Sequence, residues 1–264
     1  RQGVISTNSG LASSTGWIGR SYFGRGASNN KIENCYSGNA QGVISGERSG
    51  GICGPYTGSN GNVTITNCYS KGVISASYSG GICGYNAASN GGTVTVINCY
   101  SEGAISGGNA GGICGSNAGS YGNVTITNCY STGAISGEYS GGICGSYSGS
   151  SSGSGSVTIT NCFTTGTISG VKNSSNIIMY YSGGICGPNA YSSVTVTNCY
   201  TSGSLSSGDY GQGILGTTVN VGSGAITYSP ATTVNCYREG DGVWKDINAT
   251  KTPVSYTHLR AHET

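Results

Sequence analysis

Residues 123–145 read NVTITNCYSTGAISGEYSGGICG. Three short apolar segments, VTIT, GAIS and GGICG, alternate there with serine and glycine. Each is too short for a helix, and glycine punctuates all of them. Their valine, isoleucine and threonine favour extended backbone. In VTIT a period of two places Val124 and Ile126 on one face and Thr125 and Thr127 on the other. The pattern predicts a half-buried strand with valine and isoleucine inward.

The phrase recurs along most of the chain. An "NC" cysteine appears at Cys35, Cys68, Cys99, Cys129, Cys162, Cys199 and Cys236, and a "GIC" cysteine at Cys53, Cys83, Cys114, Cys144 and Cys186. Ile18 in GWIG and Leu215 in GILG complete the second column by the same spacing. Insertions at 145–156, 171–182 and 217–230 lengthen some units. A strand this short cannot bury its face alone, so the copies must stack. The predicted fold is all-β, a parallel β-helix-like β-solenoid of about seven coils of ~30 residues, with three short strands per coil. At ~4.8 Å per coil this is a rod of roughly 35 Å.

Residues 1–240 read as one solenoid domain that starts in mid-repeat, since RQGVIS matches AQGVIS at 40–45. Residues 241–253 are a non-repeat segment. Residues 254–264, VSYTHLRAHET, break the composition abruptly and resemble a translated sequencing adaptor, so they are set aside from the fold. Both histidines, His258 and His262, lie there, leaving the repeats with none.

The outward threonines fall into two columns. Thr64, Thr95, Thr125, Thr158, Thr195 and Thr232 form one; Thr66, Thr127, Thr160 and Thr197 form the other, which Ile97 interrupts. Lys31 and Glu33 replace both in the first full coil. Threonine suits any exposed strand, but two flat Thr-x-Thr columns are also what an ice-binding solenoid displays. An asparagine precedes every "NC" cysteine, from Asn34 to Asn235. Stacked amides can bond from coil to coil, and asparagine tolerates the left-handed backbone of a corner. The aromatic residues that follow, Tyr36 to Tyr237 with Phe163 among them, form a further column. That column suits packing, or stacking on sugars.

The chain has 264 residues, 50 of them glycine, with 8% charged residues and a net charge of +2. That is no nucleic-acid footprint. No apolar run approaches the ~20 residues of a transmembrane span. The carboxylates are scattered, and no nucleotide loop, catalytic triad or calcium repeat is present, so no enzymatic activity and no cofactor are expected. Sequons occur at Asn62, Asn123, Asn173 and Asn248.

The 12 cysteines carry three readings. Zinc wants short-spaced cysteine and histidine ligands, and the repeats offer neither C-x-x-C nor histidine. A nucleophilic cysteine wants a base, and one per coil is the wrong pattern for a single active site. Disulfides or buried thiols remain, and disulfides imply an oxidising compartment. Pairing each "GIC" cysteine with the next "NC" cysteine joins 53–68, 83–99, 114–129, 144–162 and 186–199. Cys35 and Cys236 are then left unpaired or available between molecules. The other register joins 35–53, 68–83, 99–114, 129–144 and 162–186. Loops of ~15 residues closed this way contribute ~3 kcal/mol each when unstrained. Strict alternation through Asn128 would put Cys129 outside, so an inward Cys129 requires a corner at Asn128. On a flat strand only one of Ile143 and Cys144 faces inward. If the cysteine does, Ile52, Ile82, Ile113, Ile143, Ile185 and Ile214 form an outward apolar stripe.

The phrases NCYSTGAISG and SGGICGSYSG resemble the GLUG-motif repeat, an apolar pair bracketed by glycines followed by NCYS-x-G-x-apolar-S-G. The resemblance covers nearly all of residues 1–240, with cysteine in the second apolar slot as a departure. It implies a secreted or surface-displayed microbial protein. Some relatives carry a protease domain beside such repeats, but no protease motif is present here. The expected function is a non-catalytic extracellular structural or adhesive module, a section of a fibre. Its expected partners are further copies of itself or cell-surface glycans. The alternatives are ice binding through the threonine columns and carbohydrate binding through the tyrosines.

Overall fold

The computed structural model of the chain describes residues 12–37, 42–150, 154–169, 171–172, 178–204, 213–220, 225–228, 231–240 and 243–246. Its fold is the expected β-solenoid. The strands Asn30–Glu33, Asn62–Thr66, Thr93–Ile97, Asn123–Thr127, Ser156–Thr160, Val194–Thr197 and Thr232–Val234 lie side by side as one seven-stranded parallel sheet. Equivalent residues pair from coil to coil, Thr64 opposite Thr95 opposite Thr125. The two-residue strands of the NCYS element, such as Tyr69–Ser70 and Tyr100–Ser101, build a second parallel ladder.

The other two segments expected as strands are narrower than that. GAIS contributes a single bridging residue per coil, Ile44, Ile74, Ile105, Ile135 and Ile168 in series. GGICG contributes a glycine and a cysteine bridge separated by a bend. The coil count also differs slightly: about five turns are complete, fewer than the seven expected. The long-strand sheet keeps seven rungs, while the isoleucine column has five. The register at the first coil is corrected too. Gly16 and Gly19 bridge Gly50 and Cys53, so glycine, not Ile18, occupies the cysteine slot.

Two of the insertions find each other. Val171–Lys172, Ile178–Tyr181, Thr217–Asn220 and Ala225–Tyr228 form a small antiparallel sheet. Past the last repeat, Val243–Asp246 returns antiparallel to Tyr237–Gly240 at the edge of the NCYS ladder. Val243–Asp246 therefore joins the solenoid's own sheet. No helix among the described residues is long and apolar enough to cross a membrane.

The interior has two apolar clusters. The main one packs the strand valines and isoleucines against both cysteine columns and the isoleucines of GGICG. The smaller one is the Ile44–Ile168 column with Ala110, and Trp17 against its end. Glycine is compulsory where coils touch. A Cβ on Gly112 would lie 2.0 Å from the carbonyl oxygen of Gly142 and 2.6 Å from Ser131 Oγ.

Candidate functional site

The asparagine column is an amide ladder. Each Nδ2 donates to the Oδ1 one coil before it, from Asn67 to Asn34 (3.2 Å) through Asn235 to Asn198 (3.2 Å). All seven asparagines have positive φ, between 49° and 55°. Both roles expected of them are filled at once. The corner they make breaks the strand's alternation, which turns Cys129 inward immediately after Ile126 and Asn128.

The cysteines are thiols, not staples. All 12 are free. The pairings expected between columns are absent because each cysteine faces its own equivalent one coil away. Cys53 bridges Cys83, Cys83 bridges Cys114, and so on to Cys186 and Leu215. In the other column the amide of Cys68 donates to Cys99 Sγ, and that of Cys99 to Cys129 Sγ, both at 3.4 Å. Each of these thiols in turn donates to the carbonyl two residues back, Cys99 Sγ to Ile97 O at 3.2 Å and Cys129 Sγ to Thr127 O at 3.3 Å. The "NC" cysteine thus serves the asparagine corner as donor and acceptor, a role a disulfide would remove. Burial pushes the Cys53 and Cys162 thiols well above the ordinary value. No group of three potential metal ligands occurs among the described residues. Of the two left over for links between molecules, Cys35 is half-buried and Cys236 is fully buried.

The outward isoleucine stripe does not exist. Ile52, Ile82, Ile113, Ile143, Ile185 and Ile214 are all buried, as are the cysteines that follow the first five.

The threonine columns are in register on the outer face of the long-strand sheet, mostly half-buried. Glu33, Ile97 and Val234 interrupt the second column, and Lys31 opens the first. Asn62 and Asn123 are exposed at the strand starts, while Asn173 and Asn248 lie outside the described residues, as do the two histidines and residues 254–264.

The NCY aromatic column is a continuous stack. Successive rings from Tyr36 to Tyr200 are 4.7–5.1 Å apart and within 10° of parallel. Their faces cover one another, so this column offers a sugar only its edges and its end ring.

A different set of tyrosines surrounds an open groove of about 370 Å³. Tyr78, Tyr85, Tyr121, Tyr147 and Tyr191 line it together with Asn117. Four of its lining residues, Tyr85, Ser116, Asn117 and Tyr147, come from the dipeptide after GICG, which varies from coil to coil: PY, YN, SN, SY and PN. Tyr56, Asn86, Asn117 and Tyr147 occupy equivalent left-handed positions, with φ between 55° and 60°. Asn117 is the small member, and Tyr85 of the coil before and Tyr147 of the coil after flank it in the lining. The lining is held by the backbone of neighbouring coils. Tyr78 N donates to Gly108 O (2.9 Å), Tyr85 N to Arg48 O (3.0 Å), Asn117 N to Ser146 O (3.1 Å) and Tyr191 N to Ser148 O (2.9 Å). Asn117 Nδ2 donates to Tyr85 Oη at 2.9 Å, and Ser116 Oγ donates to Asn117 Oδ1 at 3.2 Å. The Tyr78 ring meets Tyr85 edge-on, and Arg48 lies 5.3 Å over the Tyr85 ring. Reading the constant columns misses this site. The available signal was the change of side-chain size at an otherwise repeating position.

Comparison with family models, curated proteins and solved structures finds no match to this chain.

Proposed function

We propose that the chain is a section of a non-catalytic extracellular rod with a structural or adhesive role. One observation carries this reading: the strand, asparagine and aromatic columns continue from coil to coil as ladders of like contacts. The amide ladder alone runs from Asn34 to Asn235. The stability of such a stack is a sum of neighbour-to-neighbour terms. The resemblance to GLUG repeats and the low charge support the extracellular setting. The cysteines no longer do, because buried thiols are indifferent to the redox poise outside.

Self-association is part of the proposal. Ile18, Tyr22 and Tyr36, in the first described coil, are each more than 40% exposed. A further coil stacked there, of the same chain or of another copy, would continue the isoleucine and aromatic columns. Electron microscopy of native material tests this: filaments with the cross-section of one coil are expected, and dispersed short particles at all concentrations would count against assembly. The threonine face serves here as the rod's solvated side, so no thermal hysteresis is expected. Measured hysteresis with shaped ice crystals would favour the ice-binding reading instead.

A further inference from the structure

We propose that the tyrosine-lined groove binds an uncharged oligosaccharide. The proposal goes beyond the rod reading and does not depend on self-assembly, so filament formation and binding are separate readouts.

Three observations carry it. The first is chemistry. The lining is phenol, amide, hydroxyl and glycine, with no carboxylate and no ammonium group among it. Aromatic faces take the C–H faces of pyranose rings, and neutral donors and acceptors take hydroxyls. The lining itself holds no cation, Arg48 being stacked on the Tyr85 ring, and an aliphatic ligand finds no leucine, isoleucine or valine there.

The second is length. Tyr78 and Tyr85 belong to the coil before Asn117, Tyr147 to the coil after it, and Tyr191 to the next. Four coils at ~4.8 Å per step extend over roughly 14 Å. That suits several linked sugar units rather than one.

The third is preorganisation. Tyr78 and Tyr147 hold positive φ of 62° and 55°. The equivalent turns of other coils, at Arg48, Asn109 and Tyr139 and at Tyr56, Asn86 and Asn117, hold the same conformation, so the stacked turns fix the backbone that carries both rings. Tyr85 is fixed by Asn117, and the backbone of the lining is tied into the coils. Tyr121 and Tyr147 are nonetheless 57% and 37% exposed. Rigid, accessible aromatic surface binds with little ordering cost.

The test is calorimetric titration of the whole chain with neutral hexasaccharides of glucose, mannose, xylose, galactose and N-acetylglucosamine, and with decaproline. At least one saccharide is expected to bind. Tyr121→Ala and Tyr147→Ala are each expected to weaken it about tenfold or more, equal to about 1.4 kcal/mol. Tyr121→Phe should keep most of the affinity, and Tyr36→Ala, on the separate aromatic stack, should keep all of it. Melting curves of each variant separate lost binding from lost folding. Binding of none of the saccharides overturns the proposal. So does affinity unchanged by both alanine variants, or decaproline displacing the saccharide at lower concentration.

Discussion

Ile143 and Cys144 are adjacent in sequence, and both are fully buried. Their two amides converge on one acceptor, the carbonyl of Ile185 in the next coil, each at 2.9 Å. A strand alternates its amides between opposite edges; two consecutive amides on one carbonyl mean that the backbone bends there. The bend turns both side chains into the same core. Replacing Ile143 by alanine is expected to cost about 2–5 kcal/mol, as for other isoleucine truncations in dry cores. Urea unfolding followed by circular dichroism checks it. A cost under about 0.5 kcal/mol, the level of an ordinary surface change, would mean that the isoleucine is outside.

Asn128 does two things, and two substitutions separate them. Asn128→Gly loses the amide bonds to Asn98 and from Asn161 but tolerates a φ of 54°. Asn128→Ala loses the same bonds and adds about 1–2 kcal/mol of left-handed strain. Alanine is therefore expected to be the worse of the two by about that amount in urea midpoints. Equal effects would remove the backbone term.

Ser101 should tolerate alanine. Its hydroxyl is buried without a hydrogen-bond partner, as are those of Ser70 and Ser131. Burying an unpaired polar group costs about 1–3 kcal/mol, so Ser101→Ala is expected to leave stability unchanged or raise it. A clear loss in the thermal midpoint would reveal a partner for that hydroxyl.

The thiols predict two responses. A reductant should leave the thermal midpoint unchanged, and native protein should react with a thiol reagent mainly at Cys35, with the remaining cysteines reacting only on unfolding. A midpoint lowered by reductant would restore the disulfide reading.

Stability should also depend on alkali. Burial raises the Cys53 and Cys162 thiols above their ordinary value of 9.0, while hydrogen bonds from neighbouring thiols pull Cys144 the other way. The folded state then holds protons that the unfolded state releases at high pH. The contribution of Cys53 and Cys162 is complete below that ordinary value and is lost as pH rises from it through the raised folded values. From Cys53 and Cys162 a urea midpoint that falls above about pH 9 is expected; one that goes on rising above that pH would contradict their burial as neutral thiols.

The sequence by itself determined the solenoid, the inward valines and isoleucines, the threonine columns and the asparagine corners. All of these follow from local periodicity and from repetition, because a strand that cannot bury its face alone must meet its own copy in register. Tertiary structure alone decided where the cysteines bond and how the isoleucines beside them point. Spacing suggested pairing between Cys53 and Cys68, but stacking places Cys53 against Cys83, and the thiol after each asparagine is engaged with backbone. Flat-strand alternation forced a choice between Ile143 and Cys144 that a bend in the backbone removes. The groove at Asn117 was decided by structure for the opposite reason. It forms where the repeat departs from itself, and the space left by a small side chain exists only once neighbouring coils have set larger ones on either side of it.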